Sequence, residues 1–509
     1  MSAGWSSLVA RWAHNPKVGP HLDGLASGGL RFTQAYSTAR CGPSRSGILT
    51  GRYAQQTAAD VMTPGNTPVW TRFAPEHLKP LGYRCYHSGK WHIRFLPLAG
   101  AGFDHSYCLL DQNRFFTPAA HLLDDEPLAR PKESDGFYAT TAIAAHAVNW
   151  LKGHARDHRA DPFFLYLAFT APHFPLQAMQ EDIERYRGVF DEGWDAIRER
   201  RWRRMRRMGL VNCDLAPLEP DMWTRWNTPD EELLQKIGPG EVTRAVPWAS
   251  LTAAQKSFQR IKMAIHAAMI SRMDREIGRV IDQLKAMNAF ENTVILFLSD
   301  NGASSEQLIR ADGHDASARP GSARSHLCLG PGWSSAANAP FRLHKSWVHE
   351  GGISSPLIVH WPAGIKDRGQ LRNDPCHLVD VVPTLVDLAG GDPGLRERSD
   401  IPPVAGKTLA PAFTNGGRVH HDFLYFNHAN NRALRAGNWK LVAAGATGPW
   451  ELYDMRTDRC ERRNLVSAEA GRAAELAATW KKHDEECVRQ RESAPPTGKP
   501  RLGRARGKA

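Results

Sequence analysis

Cys41-Gly42-Pro43-Ser44-Arg45-Ser46-Gly47-Ile48-Leu49-Thr50-Gly51-Arg52 is the stretch on which the reading of this 509-residue chain turns. Proline suits the first position of a helix, because its φ is pre-set and its missing N–H would have no partner there. Cys41 is therefore expected at or just before a helix N-terminus, where unpaired N–H groups and the helix dipole favour an anion. An ordinary helix start with a buried cysteine accounts for Pro43 and Ser44. It does not account for Arg45 followed by Leu49-Thr50-Gly51-Arg52.

Outward from this stretch, His21 to Leu30 reads as a short helix and Arg31 to Tyr36 as an extended segment leading into it. Helices are expected at Glu76 to Leu81, Thr140 to Leu151, Phe258 to Met287 and Leu378 to Leu388, with Pro383 a kink or start in the last. Between them, Tyr83–His87 reads as a short strand, and Pro162–Phe169, Thr293–Leu298 and Pro356–Trp361 as apolar strands rich in β-branched and aromatic residues. This alternation predicts an α/β fold, a mostly parallel sheet sandwiched by helices. Ligands of such sheets collect beyond the carboxyl ends of the strands.

From about residue 405 the texture changes to short strands at Phe423–Phe426, Arg432–Arg435, Trp439–Val442 and Glu451–Asp454, then an Ala/Glu/Lys-rich helix, Ala468 to Arg489. A smaller C-terminal antiparallel sheet plus helix is expected over residues 405–490, after a catalytic domain over residues 1–404. Residues 187–250 read as a basic helical insertion, and residues 491–509 as a disordered basic tail.

The bulk composition is that of a soluble globular protein, 42% hydrophobic and 23% charged. No stretch is apolar for the length a membrane span needs. A net charge of +12 suits an anionic substrate, nucleic acid or an acidic surface. The eight cysteines are scattered without a C-x-x-C pair, which argues against zinc and for small core residues, with room for one or two disulfides. Met1 to Asn15 has no secretory pattern, so the chain as written would stay in the cytoplasm.

Polar clusters follow the strands: Ser88-Gly89-Lys90-Trp91-His92, Ala171-Pro172-His173-Phe174-Pro175 and Ser299-Asp300-Asn301-Gly302. Each alone is more often structural; Asp300-Asn301-Gly302 alone reads as an Asx turn. Three clusters at one end of a sheet beside Cys41 point instead to a site. Asp300 and Asn301 offer the hard oxygens that Ca²⁺ or Mg²⁺ prefers. Lys345 precedes another core strand and is placed to hold an oxyanion. Tyr86, Trp91, Phe174, Trp333 and Trp347 suit either a ring-binding pocket or the core.

The Cys41–Arg52 string resembles the sulfatase motif whose cysteine is oxidised to formylglycine. Gly89-Lys90-Trp91-His92, Pro172-His173, Ser299-Asp300-Asn301-Gly302 and Glu350-Gly351-Gly352 are similar to sulfatase landmarks and stand in sulfatase order. Asn427 to Arg435, Trp439-Lys440-Leu441 and Glu451-Leu452-Tyr453-Asp454 resemble the arylsulfatase branch. The resemblance covers about Pro16 to Leu465 and implies an alkaline-phosphatase-like fold. It implies hydrolysis of aryl or carbohydrate sulfate esters, with Cys41 modified by a formylglycine-generating enzyme. A hydrated aldehyde would attack sulfur with one hydroxyl and release sulfate through the other. Arg45 would hold that diol, Lys90 would bridge it to the sulfate, and His92 would take the proton that drives release. His173 and Lys345 would bind sulfate oxygens and assist the leaving group. Asp300, Asn301 and the modified Cys41 would bind Ca²⁺.

One departure stands out. Sulfatases begin with an apolar strand ending in Asp-Asp, which supplies two Ca²⁺ carboxylates. Met1 to Asn15 contains no Asp or Glu, and residues 16–40 offer only Asp23. Losing that strand would leave apolar neighbours and unpaired strand edges. Either the gene product begins upstream, with the missing piece also carrying an export signal, or the chain is a degraded sulfatase of little activity. The retention of Cys41, Lys90, His92, His173, Asp300 and Lys345 favours the first. Two other functions compete: a phosphonate or phosphate monoester hydrolase of the same superfold, and a polyanion-binding protein using Arg198 to Arg207 and Lys499 to Lys508. The basic helix reads more simply as a solvated surface, and nucleic acid is not expected as a partner.

Overall fold

The computed structural model describes residues 19–60, 67–93, 98–395, 401–414 and 416–498. The expectations for Met1 to Asn15 and for Lys499 to Lys508 fall outside these residues.

Two mixed sheets carry the catalytic part. One contains β1 (Leu30–Tyr36), β7 (Ile295–Leu298), β8 (Ser354–His360), β9 (Leu371–Arg372) and β10 (Cys376–His377), in the order β10-β1-β8-β7 with β9 beside β1. The other contains β2 (Arg84–Lys90), β3 (His105–Leu109), β4 (His121–Leu123), β5 (Glu126–Pro127) and β6 (Phe163–Ala168), in the order β5-β4-β3-β2-β6. β2 runs parallel to β3 and β6. β8 departs from the expected parallel arrangement, for it is antiparallel to both β1 and β7. The chain enters β8 at Ser354, opposite Tyr36 at the end of β1, so it starts at the edge where its neighbours finish.

β6 pairs with β2, β7 pairs with β8, and among the described residues neither has a strand on its other side. A cavity of about 690 Å³ lies between them. Leu25, Ile277, Ile281 and Leu284 from one core cluster line it, with Ile48, Leu49 and Val381 from a second. Two strand edges facing an apolar gap are a place where a further strand could pair.

The long helix Ala253–Ala286 packs on Ala139–Asp157 and on Pro20–Gly28, forming the larger core, while Cys41–Thr50 and Val381–Leu388 cover the second. Pro383 lies in the first turn of Val381–Leu388, where no N–H is needed, so it starts that helix rather than kinking it.

The C-terminal sheet is antiparallel, β11 (Leu424–His428), β12 (Asn431–Ala436), β13 (Trp439–Ala443) and β14 (Glu451–Asp454), with helix Ala470–Ser493 packed on it through Trp480. It is joined to the catalytic part by a buried ion cluster. Lys440 Nζ lies 2.9 Å from Glu350 and 2.7 Å from Glu461, and Arg459 lies 3.4 Å from Glu350. The Tyr36 hydroxyl donates to Glu350 at 3.1 Å. A Cys213–Cys460 disulfide links the same two parts, and the other six cysteines are free and buried.

Two sequence readings are corrected. Residues 494–498 are not disordered: Val69 N–H donates to Pro495 O and Thr497 N–H donates to Thr67 O, at 2.9 and 2.8 Å. Helix Gly193–Arg207 is not uniformly solvated, because Arg198 and Arg201 are buried. Arg201 donates to the carbonyls of Ala336 and Ala337 at 2.9 Å, and Trp194 of the same helix is fully buried. Arginine reaches inward here because its planar fork caps free carbonyls. Arg203 is neutralised by Glu199 at 2.9 Å, and Arg206 and Arg207 remain exposed at the end of the helix.

Candidate active site

Cys41 is the first residue of helix Cys41–Thr50, preceded by an extended Arg40. Ser44 Oγ accepts from the Thr38 N–H at 2.9 Å and so pins the turn between β1 and the helix. Lys90 is the last residue of β2, made possible by Gly89. A side chain at Gly89, with φ +119°, would strike the Ala168 carbonyl of β6 at 2.1 Å. His92, two residues on, has φ 58°, a left-handed backbone unusual for a non-glycine residue and typical of constrained sites. His173 follows β6 and Asp300-Asn301 follow β7. The loop at Asp300 is seated against Glu350-Gly351-Gly352, where Gly302 N–H donates to Gly352 O at 2.9 Å. No Cβ fits at Gly302, whose nearest neighbour would be Gly351 O at 1.8 Å. That contact explains both glycine-bearing strings as one packing feature.

The strand ends bring the expected residues together. Cys41, His92, His173 and Lys345 line one cavity of about 180 Å³, with Arg40, Gln112, Phe174 and Arg310. Cys41 is hydrogen-bonded to His173 and to His92. Burial alone would raise its thiol, but Lys90, His92, Lys345 and the His173 hydrogen bond together hold it well below the usual thiol range. The site thus selects a negative charge at residue 41. His92 opens into the cavity, yet lies deep enough among protein atoms that burial, then Lys90, lowers its pKa. Burial, then Lys345 and Lys90, pushes His173 down to about 3. Both imidazoles are neutral at pH 7 and suited to hydrogen bonding or proton acceptance.

Arg45 lies one helical turn beyond Cys41. Its Nε lies 2.9 Å from Asp300 Oδ2, and its Nη1 donates to Lys90 O at 2.8 Å and to the Tyr166 hydroxyl at 3.3 Å. Asn301 Nδ2 donates to Gly302 O at 2.8 Å, while its Oδ1 is buried without a hydrogen-bond partner.

Glu306 was not legible in the sequence. It pairs with Lys345 at 2.5 Å and Arg40 at 3.6 Å, and accepts from Trp226 Nε1 at 2.6 Å. Burial works against its charge, but Lys345 and Arg40 outweigh it and keep the carboxylate ionised. Nothing in Ser304-Ser305-Glu306 marks it, because only folding brings it to Lys345. Of the aromatic candidates, Phe174 reaches the cavity. Trp91 and Trp333 are fully buried core residues, and Tyr86 is hydrogen-bonded to His154 at 3.1 Å.

Lys90 gives the site a pH limit. Burial lowers its pKa to about 8, although Cys41 acts to raise it. Its cation is present below that value and lost above it, so an activity that needs Lys90 charged is expected to fall as pH rises through about 8. A kcat/KM profile that stays flat to pH 10 would remove Lys90 from the reaction, and Lys90→Met should erase the alkaline limb along with most of the rate.

Cys41 on a helix N-terminus, ringed by lysines and neutral histidines at the strand ends of a mixed α/β fold, makes a cavity suited to holding an anionic group. The comparisons narrow the class. The sulfatase family model matches residues 8–391, and that of the N-sulphoglucosamine sulphohydrolase C-terminal region matches residues 341–490. An uncharacterized sulfatase of Schizosaccharomyces pombe is 30% identical, covering 91% of this chain and 88% of that one. The arylsulfatase of Klebsiella aerogenes is 30% identical over 77% of this chain and 86% of its own. Among solved structures, Ps i-CgsB in complex with a neocarrahexaose superposes with a TM-score of 0.67, at 21% identity over 96% of this chain and 92% of that chain. The chain belongs to the sulfatase family and is a sulfuric ester hydrolase.

Proposed function

We propose that this protein hydrolyses the sulfate esters of carbohydrates or aryl alcohols through a formylglycine made from Cys41, with Ca²⁺ at Asp300 and Asn301. The observation that carries this reading is Cys41 itself, placed on a helix N-terminus among Lys90, Lys345, His92 and His173, where burial is overridden in favour of negative charge. A formylglycine there, hydrated, would supply an oxygen nucleophile and a second hydroxyl through which sulfate leaves. Lys90 and Lys345 balance the charge that builds on the sulfuryl oxygens. The His173 Nδ1–H is taken by Phe174 O at 2.6 Å, so its other nitrogen donates to the sulfate or the departing alcohol oxygen only once the ring is protonated, and neutral His92 accepts the proton released as sulfate departs. Arg45, committed to Asp300 and the Lys90 carbonyl, holds Lys90 and Asp300 in register. Neighbours point to the substrate class: one similar structure, with a TM-score of 0.61 and 21% identity, is described in complex with its substrate D-glucosamine-2-N,6-O-disulfate.

The donor set for Ca²⁺ fits in kind and falls short in number. Asp300 and the unpartnered Asn301 Oδ1 are hard oxygens, but Ca²⁺ takes about 6–8, and no group of three or more acidic, His or Cys side chains forms a metal site among the described residues. A bound cation would add positive charge beside the sulfuryl group. Calorimetric titration of this chain should give weak Ca²⁺ binding, on the order of 10⁻⁴–10⁻³ M. Tight binding with full activity would show that the described donors suffice. The reaction class is tested by comparing rates on nitrophenyl sulfate, nitrophenyl phosphate and a phenyl phosphonate. Sulfate should lead, and a preference for either phosphorus ester would overturn the assignment.

A further inference from the structure

Arg310 and Arg40 are cations of the catalytic cavity that the proposed chemistry does not use. Arg310 is the better placed for a ligand. It lines the same 180 Å³ space as Cys41, with its guanidinium 5.6 Å from the centre of the Phe174 ring. Lys345 Nζ lies 5.2 Å from that ring, and the His173 ring is 4.2 Å from it. Arg310 therefore stands one aromatic ring away from the two groups assigned to the scissile sulfate.

The carboxylates around it are already engaged. Glu306 is held by Lys345 and Arg40. Asp312, two residues along, pairs with Arg114 at 2.7 Å and Arg130 at 3.1 Å. Asp111 is taken by Arg114 at 2.6 Å. Among the described residues no carboxylate lies within ion-pair distance of Arg310, although its side chain is only partly exposed. A half-buried guanidinium stacked on a ring and lacking a counter-charge is poised for an external oxyanion, which it binds through paired N–H donors. In the lining of the same cavity, Gln112 Oε1 is buried without a hydrogen-bond partner and would accept a hydroxyl. Arg40 is a poorer candidate, being paired with Glu306 and stacked on Trp226 at 5.0 Å.

We propose that Arg310 determines specificity by binding a second anionic group, a sulfate or a carboxylate, on the same saccharide as the scissile sulfate. The inference rests on the sulfatase reading and adds a substrate class to it: sugars carrying at least two negative charges. Phe174 supplies the floor between the two anion positions, against which a sugar ring would lie.

The test uses glucosamine 6-O-sulfate, glucosamine 2-N,6-O-disulfate and a sulfated glucuronate as competitive inhibitors of nitrophenyl sulfate hydrolysis. The disulfate arm and the uronate arm separate the two sources of the second charge. Wild type should bind at least one dianion about 10- to 100-fold more tightly than the monosulfate, the range expected for a charged hydrogen-bonded contact. Arg310→Gln should bring that ratio close to one, while kcat/KM for nitrophenyl sulfate changes about threefold or less. Arg310→Lys should retain part of the preference. Equal binding of mono- and dianions by wild type, or a preference that survives in Arg310→Gln, would overturn the proposal. If wild type fails to hydrolyse nitrophenyl sulfate, the sulfatase reading fails, and calorimetric binding of the same sugars still decides on Arg310.

Discussion

Cys41→Ala is expected to reduce sulfate-ester hydrolysis by about 10⁴-fold or more, the scale of losing a covalent nucleophile whose partners act as a unit. The fold should tolerate it. The side chain removed is small, helix Cys41–Thr50 keeps its entry through the Thr38–Ser44 contact, and Gly51 closes it with φ 68°. Circular dichroism and thermal melting near those of wild type would confine the loss to chemistry. Peptide mass spectrometry on active wild type should find an aldehyde in place of the thiol at Cys41. An entirely unmodified Cys41 in active protein would sink the mechanism, because a thiolate offers no second hydroxyl to expel sulfate. Full activity in the alanine variant would remove Cys41 from the reaction altogether.

The second large effect lies away from the cavity. Lys440→Met is expected to destabilise the protein by about 3–5 kcal/mol, since it strands two buried carboxylates, Glu350 and Glu461, without their shared cation. Burial works to lower the pKa of Lys440 and to raise that of Glu350, yet each is shifted the other way by its partners. Stability from Lys440 is therefore full below the ordinary lysine value and is lost as pH rises through its raised folded value. Stability from Glu350 is present above the ordinary carboxylate value and lost as pH falls through its lowered one. Denaturant unfolding measures the loss; a change under about 1 kcal/mol would show that the cluster is not a stabilising junction. Adding Glu461→Gln to Lys440→Met should recover part of the loss, because one uncompensated charge is removed.

Much of this was legible before folding was considered. The apolar strands announced themselves as β6, β7 and β8 because strands of a covered sheet carry hydrophobic runs. Cys41, His92, His173 and Lys345 could be grouped from the sequence because a strand end is a fixed place in an α/β sheet, and they line one cavity. The antiparallel sense of β8 was not legible, because direction depends on where the connecting chain re-enters the sheet. The burial of Arg198 and Arg201 was also hidden: a basic run looks solvated until its carbonyl partners at Ala216, Ala336 and Ala337 are placed beside it.

The amino-acid sequence by itself determined the helix start at Cys41, the order of the strand-end clusters and the shortage of acidic residues before β1. These are local matters, set by backbone preference, side-chain chemistry and spacing. Only the tertiary structure decided that Arg45 braces Asp300, that Glu306 holds Lys345, and that Lys440 ties the C-terminal sheet to Glu350. It alone left Arg310 beside Phe174 without a counter-charge among the described residues. Each of these joins residues far apart in the chain, and the energy of a buried charge depends on which groups folding brings within a few ångströms of it.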